Sequence, residues 1–202
     1  MKLYQTDFTY DHPWSTVTLA YFLRYPNPHA RHVLASDVID RYVDEQGCLH
    51  STRLLLKRGK LPAWGARILN INETYIIEES IVDPKSLEMR TVSKNLDHTR
   101  VLKVIESQTM TVAQTGQSDI EKTQVQTEVR TISKVPSFVG SKIEYLGVAK
   151  FRENFEKSKL GMQVVLEALN KREGPLATGA RLGLGLGQRW RSVREWQARM
   201  NV

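Results

Sequence analysis

Residues 122–132 read KTQVQTEVRTI, and the fold is decided by this stretch. From Thr123 to Thr131 every second residue is threonine or valine, and the residues between them are polar or charged. Because successive side chains of a strand point to opposite faces, this pattern predicts a strand with one face on a core or cavity and the other in water. A sheet that is wet on one side is typical of antiparallel architecture.

Segments of strand length precede this stretch and are joined by polar turns such as VDPKS and TGQSD. We predict six of them: Lys2–Tyr10, Val33–Val43, Leu49–Lys57, Glu73–Val82, Ser86–Asn95 and Val101–Val112. Strands do not alternate with helices in this order, so a parallel nucleotide-binding fold is excluded. The sequence predicts an antiparallel meander of about seven strands.

Two helices complete the predicted fold. Between Pro13 and Tyr25, apolar residues recur at three- and four-residue steps, with proline at a tolerated first-turn position. From Gly140 onward the same spacing continues to Leu169, which predicts a long helix across the sheet. The fold class is therefore α+β, a curved antiparallel sheet whose interior either fills with side chains or holds an apolar ligand.

Composition limits the classes of partner. The chain has 202 residues and a formal net charge of +7, which favours phosphate-rich partners, either nucleic acid or an anionic membrane surface. No run approaches the ~20 apolar residues of a spanning helix, and the first residues lack the pattern of a cleaved targeting peptide. We expect one domain over residues 1–172 and a basic tail, punctuated by glycine, over residues 173–202.

The strongest local signal is the segment RLLLKRGKLPAWGAR at 53–67, which contains five basic residues and no acidic one. A loop of this kind can meet an anionic bilayer, with Trp64 at the level of the lipid headgroups. The alternative is a solvated, basic strand end with a packed tryptophan. We favour the membrane interpretation.

Four further positions are candidates for ligand contact. Arg24 lies on the apolar side of the first predicted helix, where its charge needs either a carboxylate of the fold or a phosphate of a ligand. Lys150 and Lys157 lie at the border of the apolar stripe of the last helix, together with Asn154. They could face a cavity, although a lysine beside such a stripe more often extends to water.

Signals for catalysis are weak. The five histidines have no H-E-x-x-H spacing, and the chain has no G-x-S-x-G motif and no P-loop. Cys48 is the single cysteine, so it has no internal disulfide partner. We therefore expect a carrier rather than an enzyme, without a metal ion or other cofactor. Nucleic-acid binding is the disfavoured alternative, because aromatic and basic residues are not interleaved on a pair of strands.

Five motifs occur in order along the chain: RYPNPHARHVL at 24–34, RLLLKRGKLPAW at 53–64, SIVDP at 80–84, NLDHTR at 95–100 and KFRENFEKSKLGM at 150–162. Together they resemble the PRELI/MSF1 family over residues 1 to about 172. The resemblance implies a sheet wrapped around a lipid cavity, with a short lid helix or loop and a long C-terminal helix. It also implies phospholipid transfer in the mitochondrial intermembrane space and a heterodimer with a small twin-CX9C helical-hairpin protein.

Within that family, the motifs RYPNP, GKLPxW and NLDHT are similar to those of the carriers of phosphatidic acid, which implies transfer of this lipid between the outer and inner mitochondrial membranes in support of cardiolipin synthesis. Transfer of phosphatidylserine by the same fold is the alternative. The resemblance implies a set of residues around the lipid headgroup: Arg24, His32, Arg53, Lys57, Lys60, Lys150, Asn154 and Lys157. It also implies a membrane-contacting lid that includes Leu61, Pro62, Trp64 and Arg67.

Overall fold

The structure is a computed structural model, and it describes residues 1–58, 73–113, 121–135 and 137–173. The chain divides into two compact units, Met1–Leu169 and Asn170–Val202. The predicted lid and the predicted tail lie outside the described residues. The division of the sequence at residue 172 therefore stays a prediction.

The described residues form seven strands and two α-helices. Strands β1 to β7 span Lys2–Tyr10, Val33–Val43, Leu49–Arg58, Glu73–Asp83, Glu88–Asn95, Lys103–Val112 and Thr123–Ile132. Helix α1 spans Trp14–Leu23, a short 3-10 helix spans Pro28–Ala30, and helix α2 spans Ser137–Glu173. The predicted order of elements is confirmed, with boundaries that differ by a few residues.

The strands form one antiparallel sheet in the order β1-β7-β6-β5-β4-β3-β2. Strand β1 closes the meander by pairing with β7, where Tyr4 lies opposite Val129. Along β7, every second side chain from Thr123 to Thr131 is buried, as the alternation predicts. Strand β2 is the other edge of the described sheet, and its register with β3 shifts twice, between Val33 and Ala35 and between Val38 and Asp40.

The hydrophobic core lies at one end of this sheet. There the inner side of α1 packs against side chains of β5, β6 and β7 and against the second half of α2: Trp14, Val17, Ala20, Tyr21, Met89, Met110, Val125, Met162 and Leu166. The indole Nε1 of Trp14 donates a hydrogen bond of 3.1 Å to the carbonyl oxygen of Met110, so this large buried ring leaves no polar atom unsatisfied. The core fixes α1 and α2 relative to the sheet.

Helix α2 is attached at separate points along its length. Near its beginning, a carboxylate oxygen of Glu144 accepts a hydrogen bond of 2.9 Å from the backbone N–H of Ser133. Further along, Nδ2 of Asn27 donates a hydrogen bond of 2.8 Å to the carbonyl oxygen of Gly161. A Cβ at position 161 would lie 2.6 Å from Nδ2 of Asn27, so a larger residue there would displace the Asn27 side chain from this hydrogen bond. None of the described helices is long and apolar enough to cross a membrane.

Candidate functional site

A cavity of about 1070 Å³ opens between the sheet and α2. Its volume is at the upper end of the range for ligand sites, roughly 300–1000 Å³. One part of the wall is apolar or aromatic, with side chains from the sheet and from α2: Phe8, Tyr10, Met110, Val125, Ile143, Leu146, Phe151, Phe155 and Met162. Walls of this kind suit hydrocarbon rather than a polar solute.

Another part of the wall is basic, and we call it the lysine cluster: Lys57, Lys150 and Lys157 with His32. Lys57 is near the end of β3, and His32 directly precedes β2. The two other lysines are seven residues apart on α2, a spacing that places them on one face of a helix. The site is therefore assembled from three elements that are distant in sequence.

The electrostatic effect of the lysine cluster appears at His32. Burial of the imidazole is the largest cause that lowers its pKa, and the nearby charges of Lys57, Lys157 and Lys150 lower it further, to about 4. A second positive charge is therefore disfavoured at this point of the cavity wall at neutral pH. His32 is then neutral and can accept or donate a hydrogen bond without adding charge.

One carboxylate partly neutralises the lysine cluster. Glu153 accepts a hydrogen bond from Nζ of Lys150 at 2.7 Å and from Nζ of Lys157 at 2.6 Å. These hydrogen bonds lower the pKa of Glu153 to about 2, so the carboxylate is ionised at neutral pH. With one negative charge against three lysines, the cluster keeps an excess of positive charge that faces the cavity.

Beside the lysine cluster lies a second group of charges, which we call the arginine pair: Arg24 and Arg53 on either side of Glu78. All three residues are buried, with Glu78 only 1% exposed. Burial alone would raise the pKa of Glu78, but the charges of Arg24 and Arg53 outweigh it and hold the pKa at about 2. The guanidinium of Arg24 also stacks on the ring of Tyr21, at 3.5 Å from its centroid.

For Arg24, the sequence left two partners open, and a carboxylate of the fold, Glu78, occupies that position. Sequence reasoning missed Glu78, although the register offers a signal. Arg53 lies directly opposite Glu78 in the β3–β4 pairing, so a cross-strand match between the basic and acidic residues of the two predicted strands is the signal that could have found it. Arg24 also contributes to the cavity wall.

A second missed residue is Glu106, whose side chain lines the cavity from β6. Gln108 donates a hydrogen bond of 2.9 Å from Nε2 to a carboxylate oxygen of Glu106. Burial raises the pKa of Glu106, while Lys57 and Arg24 oppose that shift. The signal in the sequence is the alternation of β6, in which Val104, Glu106, Gln108 and Met110 all share the inward face.

The structure therefore brings together most of the described residues that the sequence singled out. Six of them line the cavity: Arg24, His32, Lys57, Lys150, Asn154 and Lys157. Arg53 is buried behind Arg24 and is not part of the described wall. The remaining five lie outside the described residues: Lys60, Leu61, Pro62, Trp64 and Arg67. Within the described ranges, no group of three or more His, Cys, Asp or Glu residues is placed to hold a metal ion.

Solved structures share this architecture. The TTHA0849 protein of Thermus thermophilus matches with a TM-score of 0.56 at 14% identity, covering 83% of this chain and 99% of that chain. The Zhui aromatase/cyclase of a Streptomyces species matches with a TM-score of 0.52 at 12% identity, covering 89% and 99%. At these identities the likeness shows the fold alone.

Sequence relatives give more information than the solved structures. The Saccharomyces cerevisiae protein UPS1, mitochondrial, is 40% identical over 86% of this chain and 94% of its own length. The human PRELI domain-containing protein 1, mitochondrial, is 33% identical over 77% of this chain and 71% of its own length. The profile of the PRELI-like family matches residues 15–172, which include α1, six of the strands and almost all of α2. The chain thus belongs to the PRELI-like family.

Proposed function

We propose that this protein carries phosphatidic acid between the outer and inner mitochondrial membranes through the intermembrane space, and thereby supports cardiolipin synthesis. Its relatives from yeast and human are mitochondrial by name, and the chain is a mitochondrial protein with them. Family membership supports phospholipid transfer as the general activity. The nature of the cargo is argued from the site.

The observation that carries the proposal is the lysine cluster within an otherwise largely apolar cavity. A phosphate removed from water needs several converging donors, because burying an uncompensated charge is costly. Acyl chains need only apolar walls, and their burial is favourable by about 0.8 kcal/mol for each CH₂ group. The two parts of the wall therefore match the two parts of an anionic phospholipid.

Phosphatidic acid fits this charge balance well. A phosphate monoester carries about −1.5 to −2 charges at neutral pH. The lysine cluster has three cations against the one carboxylate of Glu153, a surplus of similar size. Asn154 adds an amide on the same face of α2, and Arg24 adds a cation that Glu78 already neutralises in part.

Membrane docking and a protein partner belong to the same proposal. The lid, with Lys60, Leu61, Pro62, Trp64 and Arg67, meets the anionic membrane, opens and admits the headgroup first. A twin-CX9C helical-hairpin protein binds the loaded carrier and accompanies it between membranes. The double variant Trp64→Ala, Lys60→Ala should slow transfer of fluorescent phosphatidic acid between vesicles severalfold, whereas an unchanged rate would remove the lid from the mechanism.

Lipid capture tests the cargo directly. The full chain is incubated with vesicles that contain phosphatidic acid and phosphatidylcholine, purified again and examined by native mass spectrometry. We expect the wild type to retain phosphatidic acid and Lys57→Glu to retain at least tenfold less, because the substitution turns a cation of the cavity wall into an anion. Lys85→Glu, an exposed change in the turn between β4 and β5, is the matched control.

A folded wild-type chain that captures no lipid would refute the carrier function. Capture of another phospholipid would keep the carrier and change the cargo. Arg24 is a less suitable site for a charge reversal than Lys57, because a carboxylate at position 24 would face the buried Glu78. Loss of lipid in that variant would not separate loss of binding from loss of the fold.

A further inference from the structure

Glu106 is an unusual side chain for the wall of a site that binds an anion. Its carboxyl group lines the cavity in which the lysine cluster lies. Among the described residues its hydrogen-bond partner is the amide of Gln108, and no lysine or arginine forms an ion pair with it. Glu153, the other acidic side chain of the described wall, is paired with two lysines. Glu106 thus directs an uncompensated acidic group at the ligand.

The surroundings of Glu106 explain how such a group is tolerated. It lies opposite Ser93 in the β5–β6 register, and Ser93 lies opposite Glu78 in the β4–β5 register. A polar row therefore crosses the sheet from the arginine pair to the cavity. Burial favours the protonated carboxyl and raises the pKa of Glu106, while Lys57 and Arg24 favour the ionised form.

Glu153 is screened from a phosphate by its two lysines, but a carboxyl group without such an ion pair can lie beside a phosphate at low cost only if the two share a proton, because two adjacent anions repel each other. A phosphate monoester has a second pKa near 6, so about half of it carries a P–O–H group at pH 6 and about a tenth at pH 7. That group can donate a short hydrogen bond to a carboxylate, of the strong, charge-assisted kind. A phosphate diester has no such proton to give.

From this geometry we infer that Glu106 is the specificity-determining residue for the headgroup, and that it selects phosphate monoesters over diesters by sharing one proton with the phosphate. This inference rests on the proposed function and deepens it, since it assigns the choice of cargo to a named residue. The lysine cluster attracts any anionic headgroup, whereas the ionised form of Glu106, which Lys57 and Arg24 favour, repels headgroups without a phosphate proton. Gln108 positions the carboxyl group from the same face of β6.

The test is competitive capture of two lipids by the full chain. Vesicles contain equal amounts of phosphatidic acid, a monoester, and phosphatidylglycerol, a diester with a single negative charge, and the ratio of the bound lipids is measured by native mass spectrometry. We expect Glu106→Gln to lower the preference for phosphatidic acid about tenfold, because a neutral amide replaces the carboxylate that repels the diester. The fall should come mainly from increased binding of phosphatidylglycerol, because the repulsion is removed.

Glu128→Gln is the matched control, since Glu128 lies on the outer face of β7, where it pairs with Arg130. The ratio of the two lipids bound by this variant should equal that of the wild type. If Glu106→Gln keeps the wild-type preference, the inference is wrong while the carrier function stands. If the wild-type chain captures neither lipid, the carrier function itself fails and the inference fails with it.

The pH dependence of the wild type gives a second test that needs no variant. As the pH rises from 6 to 8, phosphatidic acid loses its second proton, so the preference over phosphatidylglycerol should fall severalfold. The other charged or titratable groups on the described cavity wall or beside Glu106 are Tyr10, Tyr21, Arg24, Tyr25, Arg31, His32, Lys57, Arg58, Glu78, Lys94, His98, Lys150, Glu153, Lys157 and Lys159. Their charges act on both lipids, so most of their effect cancels in the ratio. A ratio that does not change with pH would overturn the inference.

Discussion

The arginine pair and the lysine cluster are both basic groups beside the same cavity, but they differ in what balances their charge. The arginine pair encloses the buried Glu78, which forms an ion pair with both guanidinium groups, while Nε of Arg24 is buried without a hydrogen-bond partner among the described residues. The lysine cluster has an excess of cations, and its one carboxylate, Glu153, is about half exposed. The comparison separates charge that maintains the structure from charge that remains available to a ligand.

The difference follows from the chemistry of the side chains. Guanidinium groups are planar, weakly hydrated and able to make several hydrogen bonds at once, which suits a buried pair around one carboxylate. Ammonium groups are compact and mobile, and they can follow a headgroup that enters and leaves. The same formal charge therefore contributes stability in one group and affinity in the other.

The largest effect is expected from removal of Glu78. Glu78→Ala leaves Arg24 and Arg53 buried beside each other without a counterion, which should lower the free energy of unfolding by about 3–5 kcal/mol. In a chain of this size, that corresponds to a fall in Tm on the order of 10 °C, measurable by circular dichroism. Glu79→Ala, on the next residue and on the exposed face, should change the free energy of unfolding by less than about 0.5 kcal/mol. If Glu78→Ala and Glu79→Ala destabilised the protein equally, the arginine pair would have no special role in stability.

The second largest effect is expected from acid, which should weaken the ion pairs between Glu78 and the two arginines. The pKa of Glu78 is about 2 in the folded state against an ordinary value of 4.5, so its stabilisation is present above pH 4.5 and is lost as the pH falls toward 2. The loss is on the order of 3 kcal/mol. Urea unfolding at pH 5, 3 and 2 measures it, and Glu78→Gln should flatten the dependence. Glu153→Gln should flatten it far less, because that carboxylate is exposed to solvent.

A double substitution in the lysine cluster should weaken lipid binding while leaving the stability of the protein almost unchanged. Lys57→Ala with Lys157→Ala should weaken binding of phosphatidic acid about tenfold or more, since two charge-assisted contacts are lost. The free energy of unfolding should change by less than about 1 kcal/mol, because the remaining cations repel one another less. Vesicle binding and thermal unfolding of the same samples measure both quantities. A large loss of stability would mean that these lysines maintain the fold, as the arginine pair does.

The smallest effect concerns His32. In the lipid-free protein its imidazole should titrate near pH 4, because burial and the lysine cluster oppose its protonation. Binding of an anionic headgroup should raise that pKa by about one unit, since a nearby negative charge favours the protonated ring. NMR titration with and without phosphatidic acid measures the change, and His32→Gln assigns the signal. A midpoint that stays fixed when lipid binds would place the phosphate away from His32.

Much of this fold could be predicted from the spacing of apolar residues along the sequence. The alternation at 122–132 identified β7, and the three- and four-residue spacing after Gly140 identified α2, because each pattern reflects a single buried face. Register was not predictable in the same way. The pairing of β1 with β7 joins residues that are more than a hundred positions apart, and no local pattern specifies it.

The site was predictable only in part for a related reason. Lys150, Asn154 and Lys157 were identified by helical spacing and by family resemblance, and both lead to the same face of α2. Glu78 and Glu106 were missed because an acidic residue in a strand normally faces water. Their burial depends on cross-strand neighbours, which a single strand pattern does not reveal.

The two register shifts of β2 have a consequence for behaviour at high protein concentration. An edge strand presents unpaired backbone N–H and C=O groups that can recruit a strand from another molecule. A straight β2 would do so readily, since Val38, Ile39 and Tyr42 are all exposed on it. The shifts at 33–35 and 38–40 interrupt the ladder and twist the edge, so that a second copy cannot extend the sheet in register. The irregularity thereby guards an apolar edge against self-association.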